Sequence, residues 1–270
     1  MSEVRTEAAP AAQRRRNAHG THIWYELLTA DAEGAKAFYE AVVPGWKVGP
    51  ASAEHQGYRE ISVPGGHAGG MTQLTQQMVA SGAKPLWLGY IGVNDVDAAV
   101  ADVQGRGGQV HLPAFDIPGI GRIAMVTDPQ GNPFYVMRGA SEEASDAFST
   151  EAEGRVNWNE LSTTEPAAAR EFYGGLFGWT SEEFMPMGEF GEYRFLAHEG
   201  KTIGAISGVM PGSSPKWRYY IRVPSIGAAA EAVKAGGGTV AHGPHEVPGG
   251  DHIIIGIDPQ GAEFALVGKA

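Results

Sequence analysis

Two carboxylates recur in one repeated frame. HIWYELL sets Trp24 two residues before Glu26, and VNWNELS sets Trp158 two residues before Glu160. Side chains alternate across a strand, so an indole and a carboxyl at this spacing share a face. A carboxyl held beside an indole, away from water, has its pKa raised by desolvation. It can then give or take a proton near neutral pH. Glu26 and Glu160 are therefore the candidate catalytic pair. In a purely structural reading, each Glu instead accepts hydrogen bonds from Tyr58-Arg59 or Tyr193-Arg194 and fixes the fold.

Aromatic residues surround this frame. The same alternation puts His22 on the face of Trp24 and Glu26. Trp24, Tyr58, Trp87 and Tyr90 in the first half, and Trp158, Tyr193, Trp217 and Tyr220 in the second, are expected to wall a site for a flat or apolar small molecule. Ligand pockets are mostly apolar with a few placed polar groups. The competing reading is core packing.

There are nine histidines and no cysteine. Disulfides, thiolate catalysis and Cys-bound zinc are thereby excluded. An alternative metal set would gather His22, Glu26 and His67 or His111, with Glu263 as a spare carboxylate. The second half breaks that set, with Val156, Thr202 and Ala241 at the matching positions. His242, His245 and His252 lie in HGPHEVPGGDH, which reads as loop and strand edge; they are a second alternative metal set.

The elements that must position these residues are written twice. WYELLTADAEGAKAFYEAVVPGW reappears as WNELSTTEPAAAREFYGGLFGW, at an offset of 134, and DPQGNPF reappears as DPQGAEF at 130. Each half subdivides again. A strand leads to a helix capped by Asp31, with Ala35, Phe38, Tyr39 and Val42 as its apolar stripe. Three short strands follow. The unit then restarts at PLWLGYIGV, with Asp95 as cap and Asp128-Pro129-Gln130-Gly131 as a type I turn. The second half repeats this with Pro166 in the first helical turn, Ser225 as cap and Asp258-Pro259-Gln260-Gly261 as turn. The chain is thus four strand–helix–three-strand units, an α+β protein whose units must pair to cover their open faces.

The expected boundaries are a disordered tail over 1–19, a first domain over 20–140, a linker over 141–153 and a second domain over 154–270. The tail carries Arg14, Arg15 and Arg16, a candidate partner-binding triplet, and no signal-like apolar run. The net charge of −11 argues against nucleic acid and anionic membrane surfaces as partners. The expectation is a cytoplasmic monomer or homodimer with a small-molecule ligand.

The βαβββ order, the A-x-x-FY helix with its Gly-Trp exit, the V-x-D-V-D-A helix start and the DPQG turn resemble the vicinal oxygen chelate superfamily, over roughly residues 20 to 269. That group includes glyoxalase I, extradiol dioxygenases, fosfomycin-resistance enzymes and bleomycin-binding proteins. The resemblance implies four modules paired into two glyoxalase-like half-barrel domains. It also implies a divalent metal on the inner face of each sheet. By register, the ligand positions fall at Trp24, Leu88 and Tyr135, and at Trp158, Arg218 and Ala265. None is a usual ligand, and a shift of one residue does not supply a set. The expectation is therefore no cofactor, with a divalent metal as the alternative. The implied function is a glyoxalase-like enzyme, a lyase or isomerase, acting on a small carbonyl or aromatic compound. A drug- or toxin-binding protein without catalysis is the alternative.

Overall fold

The structure is a computed structural model that describes residues 16–270. Most of the expected tail, with Arg14 and Arg15, lies outside the described residues. The first half runs β1 (His22–Thr29), α1 (Ala32–Val42), β2 (Lys47–Val48), β3 (Arg59–Val63), β4 (Gly66–Gln73), α2 (Gln76–Ala80), β5 (Leu86–Gly92), α3 (Val96–Gly105), β6 (Gln109–Ile117), β7 (Gly121–Thr127) and β8 (Pro133–Gly139). The second half runs β9 (Val156–Thr163), α4 (Pro166–Phe177), β10 (Phe184–Pro186), β11 (Glu192–His198), β12 (Lys201–Gly208), β13 (Lys216–Ser225), α5 (Ile226–Ala235), β14 (Thr239–Val247), β15 (Asp251–Ile257) and β16 (Glu263–Lys269).

Each half closes into one eight-stranded sheet. The orders are β2-β3-β4-β1-β5-β8-β7-β6 and β10-β11-β12-β9-β13-β16-β15-β14. The two modules of a half join through the antiparallel pairs β1–β5 and β9–β13. Modules therefore pair within a half and not across halves.

The helices form where the caps predict. The Asp31 carboxylate accepts from the N–H groups of Glu33 and Gly34 at 3.2 and 3.1 Å. Asp95 accepts from Ala98 at 2.9 Å. α4 starts with Pro166 and no side-chain cap, and Gly178 ends it at φ 71°, a left-handed conformation that favours glycine. Ala35, Phe38, Tyr39 and Val42 are all buried. Each large apolar side chain so buried contributes about 1.5–3 kcal/mol.

One core spans both halves. α1 packs on α5 and α3 on α4. Residues from these helices and from the helix-side faces of both sheets form a single apolar cluster. The opposite, inner face of each sheet carries its own smaller cluster. Where the sheets meet, Tyr219 lies over Gly89 and its hydroxyl accepts the Gly89 N–H at 2.8 Å. A Cβ at residue 89 would lie 2.7 Å from that hydroxyl. Gly89 and Tyr219 are equivalent positions of the two halves, so the seam admits the ring from one side only.

Two repeated motifs do more than pack a helix on its own sheet. The Trp46 indole donates to Gly154 O at 2.7 Å, and Trp179 donates to Gly20 O at 2.8 Å. Each Gly-Trp thus anchors the chain just before the other half's first strand. The described end of the expected tail is also bound. Arg16 donates to the carbonyls of Gly139 and Ser141 at 3.2 and 3.1 Å and pairs with Glu142 at 2.7 Å. His19 reaches Leu176 O at 2.8 Å. Arg16 and His19, at the end of that expected tail, thus contact the rest of the chain. Within 141–153, Ser145 donates to Ile23 O at 2.5 Å, and Ala147 is fully buried.

Candidate functional site

Strand alternation decides which predicted residues meet. On β1, Trp24 and Glu26 lie on the inner face with Leu28. Glu26 stands opposite Leu88, and Trp24 opposite Tyr90. Tyr135 stacks on Tyr90, with ring centroids 4.3 Å apart. On β9 and β13, Glu160 stands opposite Arg218, and Trp158 opposite Tyr220. Trp24, Glu26, Tyr58 and Tyr90 thus gather in the first half, and Trp158, Glu160, Tyr193 and Tyr220 in the second.

His22 does not join them. The β1–β5 register shifts between His22 and Trp24, and that bulge turns His22 to the other face. Its ring stacks on Trp179 at 5.2 Å and meets Trp217 edge-on at 5.9 Å, inside the shared core. Neither ring nitrogen has a hydrogen-bond partner among the described residues. Burial, with His198 nearby, pushes the pKa down to about 3.

Trp87 and Trp217 are likewise on the core side. A Trp and a Tyr three residues apart on a regular strand face opposite ways, so with Tyr90 and Tyr220 inward these indoles point into the seam. Trp87 donates to the Tyr39 hydroxyl and Trp217 to that of Tyr173, both at 3.0 Å. They edge a cleft of about 230 Å³ between the halves, with Pro85, Lys216 and Phe264.

The two inner faces are built differently. In the first half, Glu26 accepts from the Thr72 hydroxyl at 2.5 Å and from the Tyr90 hydroxyl. No Lys or Arg pairs with it among the described residues. Burial raises its pKa, and those two hydrogen bonds only partly counter the shift. The Tyr58 hydroxyl accepts the Trp24 indole N–H at 2.5 Å. Its own hydrogen meets no acceptor among the described residues. Burial first, then the Glu26 charge, push this phenol well above its ordinary pKa.

In the second half the equivalent glutamate and both equivalent tyrosines are engaged. Glu160 accepts from Arg218 at 2.6 Å, from Tyr193 at 2.7 Å and from Tyr220 at 3.3 Å. Arg218 also pairs with Glu263 at 3.0 Å, and Lys216 with the same carboxyl at 2.9 Å. Burial pulls the Glu263 pKa upward, yet Lys216 and Arg218 hold it below the usual carboxylate range. Further along, Asp251 pairs with Arg222 at 2.5 Å and Lys269 at 2.6 Å. The first-half counterparts of Lys216, Arg218, Arg222, Asp251, Glu263 and Lys269 are Leu86, Leu88, Gly92, Gly121, Pro133 and Gly139. One half carries a charge lattice where the other is uncharged.

A single small residue accompanies the difference around Tyr58. Gly70 stands beside Glu26 on β4, as Ala205 stands beside Glu160 on β12. Tyr58 lies against Gly70 so closely that a Cβ there would overlap the phenol oxygen. Where Ala205 occupies the position, the Tyr193 hydroxyl bonds the glutamate instead.

Thr72, Tyr135 and the ionic role of Arg218 and Glu263 were not among the predicted site residues. Aligning the two halves position by position, with strand parity applied, is the signal that would have found them. The alternative metal sets do not assemble. His22 faces the core, and among the described residues no three His, Asp or Glu side chains converge. His67 sits at the rim, its ring 6.2 Å from Trp24, and His111 borders a cleft of about 420 Å³ with Met125 and Gln130. His245 lies on the edge strand β14 and His252 on its neighbour β15.

A family model described as Glyoxalase/Bleomycin resistance protein/Dioxygenase superfamily matches residues 21–136 and again 155–266. The protein named "Putative glyoxylase CFP32" in Mycobacterium tuberculosis is 35% identical over 265 residues, covering 93% of this chain and 95% of that one. Anthracycline biosynthesis protein DnrV of Streptomyces peucetius is 28% identical over 278 residues, covering 93% and 94%. Among solved structures, the Mn(II)-bound glyoxalase from Novosphingobium aromaticivorans aligns with a TM-score of 0.62 at 19% identity, covering 93% of this chain and 83% of that one. Homoprotocatechuate 2,3-dioxygenase from Brevibacterium fuscum, complexed with 3,4-dihydroxyphenylacetate, aligns at 0.66 with 15% identity, covering 97% and 84%. These structural likenesses show a shared fold. The inner-face residues of this chain do not fit a divalent metal. Trp24, Leu88 and Tyr135 offer no carboxylate or imidazole, and in the second half Arg218 sets a guanidinium against both nearby glutamates, Glu160 and Glu263.

Proposed function

This chain belongs to the Glyoxalase/Bleomycin resistance protein/Dioxygenase superfamily, and on that premise we propose that its first half is a glyoxalase-like site where Glu26 moves a proton on a carbonyl-bearing aromatic compound. One observation carries the reading. Glu26 is buried with two hydroxyl donors and, among the described residues, no cation, beside a Tyr58 hydroxyl whose hydrogen no described residue accepts. A carboxylate destabilised by burial is a stronger base, and a group that titrates nearer neutrality suits proton transfer.

The chemistry balances with these groups alone. Ionised Glu26 takes a proton from the carbon next to a carbonyl. The C–H electron pair becomes the C=C bond of an enolate, and the carbonyl oxygen takes the negative charge. Tyr58 donates its free hydrogen to that oxygen, the role of an oxyanion donor. Glu26 then returns the proton to the same carbon. Trp24 and the Tyr90–Tyr135 stack supply flat faces for an aromatic ring. The anthracycline biosynthesis name of one relative supports an aromatic ligand over a small aliphatic one. Glu160 is spent on Arg218, so the second half serves the fold.

The test is deuterium wash-in. An aryl methyl ketone such as 2-acetylnaphthalene is incubated with the protein in D₂O, and loss of the acetyl proton signal is followed by NMR. Glu26→Gln is expected to slow protein-dependent exchange by about 100-fold or more, and Glu160→Gln to leave it unchanged wherever it folds. Binding without any Glu26-dependent exchange would establish a binding protein in place of an enzyme.

A further inference from the structure

We infer that the first-half site is selective for uncharged ligands and rejects carboxylate- or phosphate-bearing ones; this rests on the reading of that face as the ligand site. The argument starts from Leu88. It stands opposite Glu26 as Arg218 stands opposite Glu160. In the second half, three carboxyls are offset by Lys216, Arg218, Arg222 and Lys269. All four cations have uncharged counterparts in the first half. Arg59, next to Tyr58, is turned away and pairs with Glu33 of α1 at 2.5 Å. His67 sits at the rim, 3.9 Å from Glu60, His111 lines the cleft beside Met125, and neither bonds Glu26 or Tyr58.

Among the described residues, no Lys or Arg pairs with Glu26 or Tyr58 to compensate an anion entering this face. Such an anion also meets Glu26, which repels it whenever ionised. Burying an unpaired charge is costly, because the interior does not replace its hydration. A neutral ring with a carbonyl pays neither cost. Its apolar surface meets Leu28, Leu88, Ile123 and Met125 of the inner cluster, and its oxygen accepts the Tyr58 hydrogen. The duplicated chain has thus kept two copies of one frame with opposite polarity.

A matched pair of ligands tests this. 2-Acetylnaphthalene and 6-acetyl-2-naphthoate share the ring and the ketone and differ by one carboxylate. Equilibrium dialysis at pH 7 is expected to show the neutral ketone bound at least about tenfold more tightly, the equivalent of about 1.4 kcal/mol. Leu88→Arg, or Leu86→Lys if the first variant does not fold, is expected to bring the ratio to about one. Equal affinities in the unmodified protein, or tighter binding of the naphthoate, overturn the inference. If neither ligand binds, the ligand-site reading falls and this inference with it. Exchange in D₂O separates the two claims. Selective binding without Glu26-dependent exchange supports the selectivity and removes the proton-transfer reading. Exchange on both ketones with equal affinity does the reverse.

Discussion

The Tyr39 hydroxyl lies 3.0 Å from Asp258 Oδ2, across 219 residues of chain, and joins a helix of the first half to the DPQG turn of the second. Tyr173 and Asp128 make the reciprocal bond, also at 3.0 Å. The same Asp258 carboxylate accepts the N–H groups of Gln260 and Ala262, so it shapes the turn and receives the phenol together. Tyr39→Phe removes the cross-half donor and leaves the Trp87 indole without its acceptor. The expected cost is about 1.5–3 kcal/mol, read as a lower urea midpoint at unchanged m-value. A cost near zero would mean the bond contributes nothing net to the seam.

Gly70 is expected to hold the first-half site open. Gly70→Ala pushes Tyr58 off β4, toward the arrangement that Tyr193 adopts beside Ala205. The φ of Gly70 is outside the left-handed region, and the new Cβ would also lie 2.9 Å from the Arg59 carbonyl oxygen, so β3 must shift slightly together with the phenol. The variant should keep its circular dichroism and lose about tenfold or more of its affinity for 2-acetylnaphthalene. Unchanged affinity would show that Tyr58 does not control access to Glu26.

His22 makes the fold sensitive to acid. Its folded pKa is about 3, below the ordinary 6.5. Between those values the unfolded chain takes a proton that the folded chain refuses. Stability is therefore full above pH 6.5 and falls as pH drops toward 3, by up to about 1.4 kcal/mol per pH unit from this group. His22→Leu should flatten that part of the stability–pH curve. Parallel curves for the two proteins between pH 6.5 and 4 would rule out His22 as the source.

Arg218 separates the roles of the two glutamates. Arg218→Met leaves Glu160 with only its two tyrosine donors and Glu263 with only Lys216, and is expected to destabilise the protein by about 3–5 kcal/mol. Glu26→Gln should cost far less, because no cation is stranded. Glu26 also has a raised folded pKa, so its burial penalty is absent below the unfolded pKa of 4.5 and grows as pH rises toward the folded value. Glu26→Gln should remove that loss. Chemical denaturation of both variants at pH 7, with the glutamine variant repeated at pH 4, reads all of this.

Much of the architecture was legible in residue patterns. The duplication, the caps at Asp31 and Asp95, the apolar stripe of α1 and the DPQG turns each depend on a few neighbouring residues. Local periodicity carries that information, so four βαβββ units follow from it. The pairing of Trp24 with Glu26 followed from strand alternation alone. His22 escaped the same rule because a bulge shifts the register, and no residue type announces the bulge. Trp87 and Tyr90 could not both face inward. The parity argument was available, and their aromatic character hid it.

What the sequence by itself determined is the repeat, the units and the presence of a carboxyl beside an indole in each half. Only the tertiary structure decided what each carboxyl meets. Glu160 finds Arg218 directly across a strand pair, and Arg218 finds Glu263 from a third strand. Glu26 finds Thr72, Tyr90 and Leu88. These partners lie far apart in the chain and come together only when β1 pairs with β4 and β5, and β9 with β12 and β13. Burial then converts the difference between leucine and arginine into a neutral face and an ionic one, since a charge inside a protein is governed by its nearest partners.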